Sequence, residues 1–427
     1  MASGLVAISL AKLTRSLVKI LRLGSGSALP GRVALALQPK LLEDFAAELE
    51  TSNLQSIITG TNGKTTTAGL LREIYKLAGG EDPISNLMGA NLYYGILAEF
   101  INSSDLSGNL KSNNFVLEVD EATLPEVAKI IPVKTITVTN LFRDQLDRFG
   151  EIDATQKLII QGIRNLVQRQ GDRDVADAPH DDSPVLVLNA DDTKVLDIAN
   201  QVEGFEVFSF AVKADRELSN LDSDPQRDVD ANLICEQVSE HKIKLVYQEQ
   251  SIEIDFKLPG LYNIYNATAA AATALVAGVD LTSIKQGIEN YRGNFGRAEI
   301  KTFDGVEYQT FLIKNPTGAT EVLRDLATKK NPKFMIAIND NYADGRDLSW
   351  LWDAEFEHLQ TKSEIICAGC RAEDMAVRLK YAGIKPGQIK IIKSLKQALV
   401  DATSSKQNSE TLFVLPTYTA LLELNQL

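Results

Sequence analysis

The segment TGTNGKTTT (59–67) limits the possible folds more sharply than any other stretch of the chain. The short apolar run LQSIIT (54–59) leads into it, and KTTTAGLLREIYKLAG, with helical spacing, leads out. A strand that turns through glycines directly into a helix makes a phosphate cradle, because amides at the helix N-terminus face the oxygens and the dipole favours negative charge. Gly60 and Gly63 let the backbone approach a ligand closely, Thr61, Asn62 and Thr66 complete the cradle, Lys64 reaches terminal phosphates, and the Thr65 hydroxyl suits magnesium. Ile58 stands where the strict Walker spacing has its first glycine. A chance glycine turn does not account for strand, glycines, Gly-Lys-Thr and helix together. The expected ligand is ATP with Mg2+.

A magnesium nucleotide needs a carboxylate at a neighbouring strand end. Glu118, in VLEVDE, ends a β-branched run, with Asp120 and Glu121 just beyond it. An unpaired carboxylate in a buried strand carries a large desolvation penalty, so either a metal or a lysine must answer it.

The runs NFVLEVD (114–120), KTITVTN (134–140) and PVLVLNADD (184–192) lack amphipathic alternation, as strands covered on both faces do. With helical segments between them they predict a doubly wound, mainly parallel α/β sheet with ligands at the carboxyl ends of its strands. NLICEQV, KIKLVYQ and SIEIDFKL, within 232–257, predict a small antiparallel patch, and NIYNATAAAATALVAG (263–278) an alanine-rich helix. The acidic stretches 170–184 and 214–231 are too polar to pack. A fresh strand series after residue 298 predicts a second, smaller Rossmann-like α/β domain. The expected division is an N-terminal helical extension (1–52), a central nucleotide-binding domain (53–298) and a C-terminal domain (299–427).

The formal net charge of −13 excludes a nucleic-acid binder, which needs a basic face. Three cysteines allow no disulfide framework, and CAGC (367–370) ends an apolar run that predicts plain core packing. No stretch of eighteen apolar residues spans a membrane. LVAISLAKLTRSLVKILRLG near the N-terminus puts Lys12, Arg15, Lys19 and Arg22 on one helical face and aliphatic residues on another. We expect the helix to dock on the body of the protein, with at most peripheral membrane contact.

GTNGKTTT, LEVDE, TNLFRDQLDRFGEID (139–153), LNADD (188–192), GLYNIYNATAA (260–270) and FGRAE (295–299) occur in the order and spacing of the Mur ligases. LPGRVA (29–34), NLMGANLYYGI (86–96), KNPTGATEVL (314–323) and NDNYADGRDLSWLWDAEFE (339–357) resemble the MurT branch of that family, synthetase subunits that work with a class I glutaminase, GatD. The resemblance covers nearly the whole chain. It implies a Mur ligase-like fold and ATP-dependent amidation of the D-glutamate α-carboxylate of lipid II to D-isoglutamine, through an acyl phosphate. The setting implied is peptidoglycan synthesis, in the cytoplasm at the inner face of the plasma membrane, by a heterodimer with the glutaminase.

In the roles the family implies, Lys64 and Arg297 neutralise the transferring phosphoryl group, and Thr65 and Glu118 hold magnesium. Asn263 and Asn266 contact the adenine side. Asp347 serves the partner's cysteine and histidine across the interface. The plain structural alternative is that Asp344 and Asp347 cap a helix over 348–358 and pair with Arg346. The family's four-cysteine zinc ribbon has no counterpart, since only Cys235 lies between 211 and 250, so no zinc is expected. Gln145 stands where amino-acid-adding relatives carry a histidine, and Lys157 is expected to be an exposed helical lysine. A single-chain amino-acid or folylpolyglutamate ligase is the alternative function.

Overall fold

A computed structural model describes residues 2–20, 29–86, 90–142, 152–171, 184–214, 230–239, 241–293, 297–359 and 364–427. The polar segments 172–183 and 215–229, the motif residues 143–151 with Gln145, and the side chain of Arg297 lie outside the described residues.

Three helices, α1 (Ala2–Ile20), α2 (Leu29–Leu37) and α3 (Leu41–Glu48), precede the first sheet. Its strands are β1 (Gln55–Thr59), β2 (Ile84–Ser85), β3 (Phe115–Glu118), β4 (Thr135–Val138), β5 (Val185–Asn189), β6 (Glu206–Lys213), β7 (Leu233–Ser239), β8 (Lys242–Tyr247) and β9 (Gln250–Asp255). They lie in the order β2-β3-β1-β4-β5-β6-β7-β8-β9. Every residue of β1, β3 and β4 is buried, which explains why their sequences show no alternation. Pairing is parallel up to β7 and antiparallel from β7 to β9. The antiparallel strands therefore continue the main sheet instead of forming a separate patch.

Helix α4 (Lys64–Gly79) covers one face, with α5 (Tyr93–Ser103) on the other side of the chain's path. The helix Leu261–Val276 lies against α4 through alanines that are fully buried, since small side chains let helix backbones approach. A second sheet holds β10 (Arg297–Phe303), β11 (Val306–Phe311), β12 (Pro332–Ala337), β13 (Ile365–Ala368), β14 (Ile389–Ile391) and β15 (Thr411–Pro416), in the order β10-β11-β15-β12-β13-β14. Only the β10–β11 pair is antiparallel, turning at Asp304 and Gly305, both at positive φ as a tight hairpin requires.

Helix α1 docks on the body, but with the opposite face to the one its composition suggests. Ala7, Ile8, Ala11 and Val18 are buried, while Val6, Leu10, Leu13 and Leu17 are exposed. Lys12 lies on the inner side, where its ammonium donates to the carbonyls of Ser104 and Asp105. The face that packs against α2 is thus built of two alanines and the β-branched Ile8 and Val18.

The expectation for CAGC holds for Cys367 and fails for Cys370. Cys367 lies in β13, fully buried, whereas Gly369 at φ +88° turns the chain out of the sheet and leaves Cys370 exposed, its thiol donating to Asp340. Burial pushes the thiols of Cys235 and Cys367 up to about 12. A maleimide should therefore modify Cys370 in the native protein and the other two cysteines only in denaturant. Mass spectrometry checks this, and three rapid modifications under native conditions would contradict the packing described.

Candidate functional site at the junction of the two sheets

The loop after β1, the acids after β3 and Asn140 after β4 meet because these three strands are neighbours in parallel register, with Ile58 opposite both Glu118 and Thr137. Gly60 and Gly63 sit at φ +117° and +86°, and neither leaves space for a side chain. A Cβ on Gly60 would lie 2.5 Å from Thr139 Oγ1, and one on Gly63 2.1 Å from Asn266 Oδ1. Asn140 fixes the loop: its carbonyl accepts from Thr61 N at 3.0 Å and its Oδ1 from Asn62 N at 2.8 Å. Helix α4 starts at Gly63 with no side-chain cap, so its first-turn amides and dipole face the loop's concavity.

Lys64 is 6% exposed, and its Nζ donates to the Gly60 carbonyl at 2.5 Å and to Glu121 Oε1 at 3.0 Å. Burial disfavours the ammonium, yet Glu121, Asp120 and Glu118 together outweigh it and hold the lysine above its ordinary pKa. Lys64 is thus a buried cation whose ion-pair partner is Glu121 and not Glu118.

Glu118 occupies a different station at the end of β3, 3% exposed. Asn86 grips its backbone on both sides, accepting from Glu118 N at 2.8 Å and donating to Glu118 O at 2.7 Å. Asn91 donates to Glu118 Oε1 at 3.2 Å. Glu118 Oε2 and Thr66 Oγ1 are buried without a hydrogen-bond partner among the described residues. An orphaned carboxylate oxygen beside a phosphate loop fits a hard divalent cation, which takes oxygen ligands. Thr65, also buried, begins the same helix.

A cleft of about 760 Å3, including its open mouth, runs between the two sheets. Asn62, Gly63, Asn140 and Asn266 line one wall; Lys314, Asn315 and Glu321 line the other. Asn315 Nδ2 donates to Asn62 Oδ1 at 2.9 Å across the junction, while its own Oδ1 caps the helix Pro316–Ala327 through Gly318 N. Asn266 faces the loop; Asn263 stands one turn behind it, accepting from Asn266 Nδ2 and donating to the Pro259 carbonyl. Of Arg297 only the backbone is described, opening β10 opposite Phe311.

The acidic loop 339–349 follows β12 at the carboxyl end of the second sheet, and its acids are not an unpaired cluster. Asp344 is buried and accepts from Thr419 N at 2.7 Å, from Asn341 N at 3.1 Å and from the Thr419 hydroxyl. Asp340 pairs with Arg371 at 3.2 Å. Asp347 is half-buried, and its two oxygens accept from Ser349 N and Oγ, both at 2.8 Å. The continuous helix over 348–358 considered above does not form; a short turn, Trp350–Asp353, and a 3-10 turn, Phe356–His358, stand there. Tyr418, between the two carboxyl-end loops, has its phenol pushed up by burial and then by Glu118 and Asp344, so it lies within electrostatic reach of both.

Fold and loop together define a ligase of the Mur class: residues 58–274 match the family model of the Mur ligase middle domain. The MurF ligase of Thermotoga maritima, solved with ADP, superposes with a TM-score of 0.63 over 91% of this chain and 82% of that one, at 14% identity. Within that class the chain belongs to the MurT family, since residues 312–421 match the MurT ligase C-terminal model. It is 33% identical to the lipid II isoglutaminyl synthase (glutamine-hydrolyzing) subunit MurT of Streptococcus pneumoniae, over 95% of this chain and 93% of that one. The corresponding subunit of Staphylococcus aureus is 31% identical over 97% and 95%.

Asn86, Asn140, Asn315 and Tyr418 carry no sequence signal of their own. Asn86 and Asn315 sat inside motifs whose roles the motifs alone do not reveal. Because Asn86 holds Glu118 from behind, Asn86→Ala should raise the Mg2+ concentration needed for half-maximal ATP turnover about tenfold, the usual cost of losing an outer-shell partner. A magnesium titration checks this, and an unchanged midpoint would contradict the role.

Proposed function

We propose that this chain is the synthetase subunit of a two-subunit lipid II isoglutaminyl synthase acting in peptidoglycan synthesis at the inner face of the plasma membrane. The reading is carried by one observation: a Mur-type phosphate loop that borders, through Asn62 and Gly63, a cleft walled by a MurT-type C-terminal domain. In the reaction, an oxygen of the D-glutamate α-carboxylate attacks the γ-phosphorus of ATP and ADP leaves. Ammonia then attacks the acyl carbon, phosphate leaves, and D-isoglutamine remains.

Catalysis of phosphoryl transfer is mostly positioning and charge stabilisation. Amides at the start of α4, from Gly63 to Thr66, hold the phosphate oxygens. Lys64 exchanges its bonds to Glu121 and the Gly60 carbonyl for phosphate oxygens as negative charge builds, and Arg297 adds a second cation. Glu118 Oε2 and the Thr65 hydroxyl would hold magnesium, which would supply neutralisation of the phosphate charge. Asn266, with Asn263 behind it, borders the base end of the nucleotide.

The nitrogen comes from a class I glutaminase partner in a heterodimer. Among the described residues Asp347 accepts from Ser349 N and Oγ, both neutral donors, which leaves lone pairs for a partner histidine, whose tautomer it would fix and whose imidazolium it would stabilise. Asp347→Asn should lower glutamine-dependent amidation of lipid II by about ten-thousandfold, as loss of a histidine's carboxylate does elsewhere. Amidation with supplied ammonium should persist. Undiminished glutamine-dependent turnover in the reconstituted complex would refute the assignment.

A further inference from the structure

The two sheets are built on separate hydrophobic cores. Those of the first lie on either side of β1 and β3, and those of the second on either side of β12 and β15. Tyr262 is the one described side chain that packs against a core of each. Domains that share so little apolar contact move relative to one another by default, so a directional bond between them carries more weight than its strength alone suggests.

Such a bond lands on the phosphate loop itself. The backbone of Asn62 is held by its own domain: its N–H donates to Asn140 Oδ1 at 2.8 Å, and its carbonyl accepts from Thr139 Oγ1 at 2.7 Å and from Asn140 Nδ2 at 3.0 Å. Its side chain faces the second domain, where Asn62 Oδ1 accepts from Asn315 Nδ2 at 2.9 Å. Asn315 is fully buried, and its orientation is fixed from its own side, because its Oδ1 caps the helix Pro316–Ala327 by accepting from Gly318 N at 2.9 Å. With the carbonyl oxygen committed to the cap, the amide nitrogen points outward, at the loop. Gly318 keeps the pair clear, since a Cβ there would stand 2.9 Å from Asn315 Oδ1. Lys314 precedes Asn315, and Thr317 and Glu321 follow it on the helix, so fixing Asn315 fixes the second wall of the cleft.

We propose that the Asn62–Asn315 amide pair is the latch that holds the second domain closed over the phosphate loop, which makes Asn315 a positioning residue for phosphoryl transfer. Loop and cleft wall then stand in one register when ATP and the carboxylate meet. Closure also keeps water from the acyl phosphate, whose hydrolysis would return the carboxylate and release phosphate. A helix cap accounts for Asn315 Oδ1; it does not account for a buried Nδ2 aimed across a domain boundary. The chemical consequence rests on the reaction assigned above, whereas the contact between the domains does not.

Asn315→Ser separates the two duties, because serine caps a helix about as well as asparagine but is too short to reach Asn62. In the full chain, one nitroxide on the native Cys370 and another on Lys157→Cys, both exposed positions, report the distance between the domains by double electron-electron resonance. The wild type should give one narrow distribution and Asn315→Ser a broader one reaching longer distances, at an unchanged melting temperature. In the reconstituted heterodimer, ammonium-dependent amidation by Asn315→Ser should lose about five- to tenfold in kcat/KM for ATP, the factor that a neutral hydrogen bond carries. More ATP should be hydrolysed per lipid II amidated. Asn62→Ser, which leaves the cap intact, reports the same contact if Asn315→Ser folds poorly, and the double variant should lose no more than the worse single one, as partners in one bond do. Equal distance distributions in wild type and variants, or losses that multiply in the double variant, would overturn the latch. A wild type with a narrow distribution that amidates no lipid II with ammonium would sink the assigned reaction and leave the latch standing.

Discussion

A protonated lysine held out of water is the constraint around which this molecule is organised. Lys64 must be answered by oxygen, and the oxygens come from the turn it belongs to and from the acid that follows β3. Removing one partner of such a pair leaves an uncompensated buried charge, which is strongly destabilising. The same pairing keeps the cationic end of the loop in place. Glu118 does not compete for the lysine because Asn86 and Asn91 hold it a short way off, with one oxygen unanswered. Two carboxylates three residues apart thus take different stations, one as the counter-ion of Lys64 and one with a buried oxygen that has no partner among the described residues.

That arrangement demands the sheet order. Only with β1 between β3 and β4 do the glycine loop, the acids and Asn140 converge. The second sheet closes the cleft from above through one amide pair, Asn62 with Asn315, and brings Tyr418 within reach of Glu118. Asp344 then serves as scaffold, clamping the acidic loop to Thr419, and frees Asp347 from any structural duty beyond holding Ser349. The acidic loop and the phosphate loop are consequently two ends of one junction.

The phosphate loop and the buried strands were legible because each is a local pattern: glycine, lysine and threonine at a strand end, and β-branched runs with both faces covered. Glu118 was legible by its position in such a run. The choice of Glu121 as the partner of Lys64 was not, because it depends on how the chain turns after β3. Asn86 and Asn140 depend on register between strands far apart in sequence. Amphipathicity predicts that α1 buries leucine; the face packed on the body instead carries Ala7, Ile8, Ala11 and Val18, a tertiary choice that no helical wheel contains. Three acids in one loop suggest a shared task, yet Asp340, Asp344 and Asp347 have three different partners.

In the proposed reaction, phosphoryl transfer to the carboxylate precedes the arrival of nitrogen. Positional isotope exchange tests this directly, using ATP with heavy oxygen in the bridge between its β- and γ-phosphates, lipid II, Mg2+ and no nitrogen donor. Reversible transfer should scramble the label into the non-bridging β-positions, only when lipid II is present. An unscrambled label under conditions where added ammonium gives rapid amidation would contradict the proposed order of events.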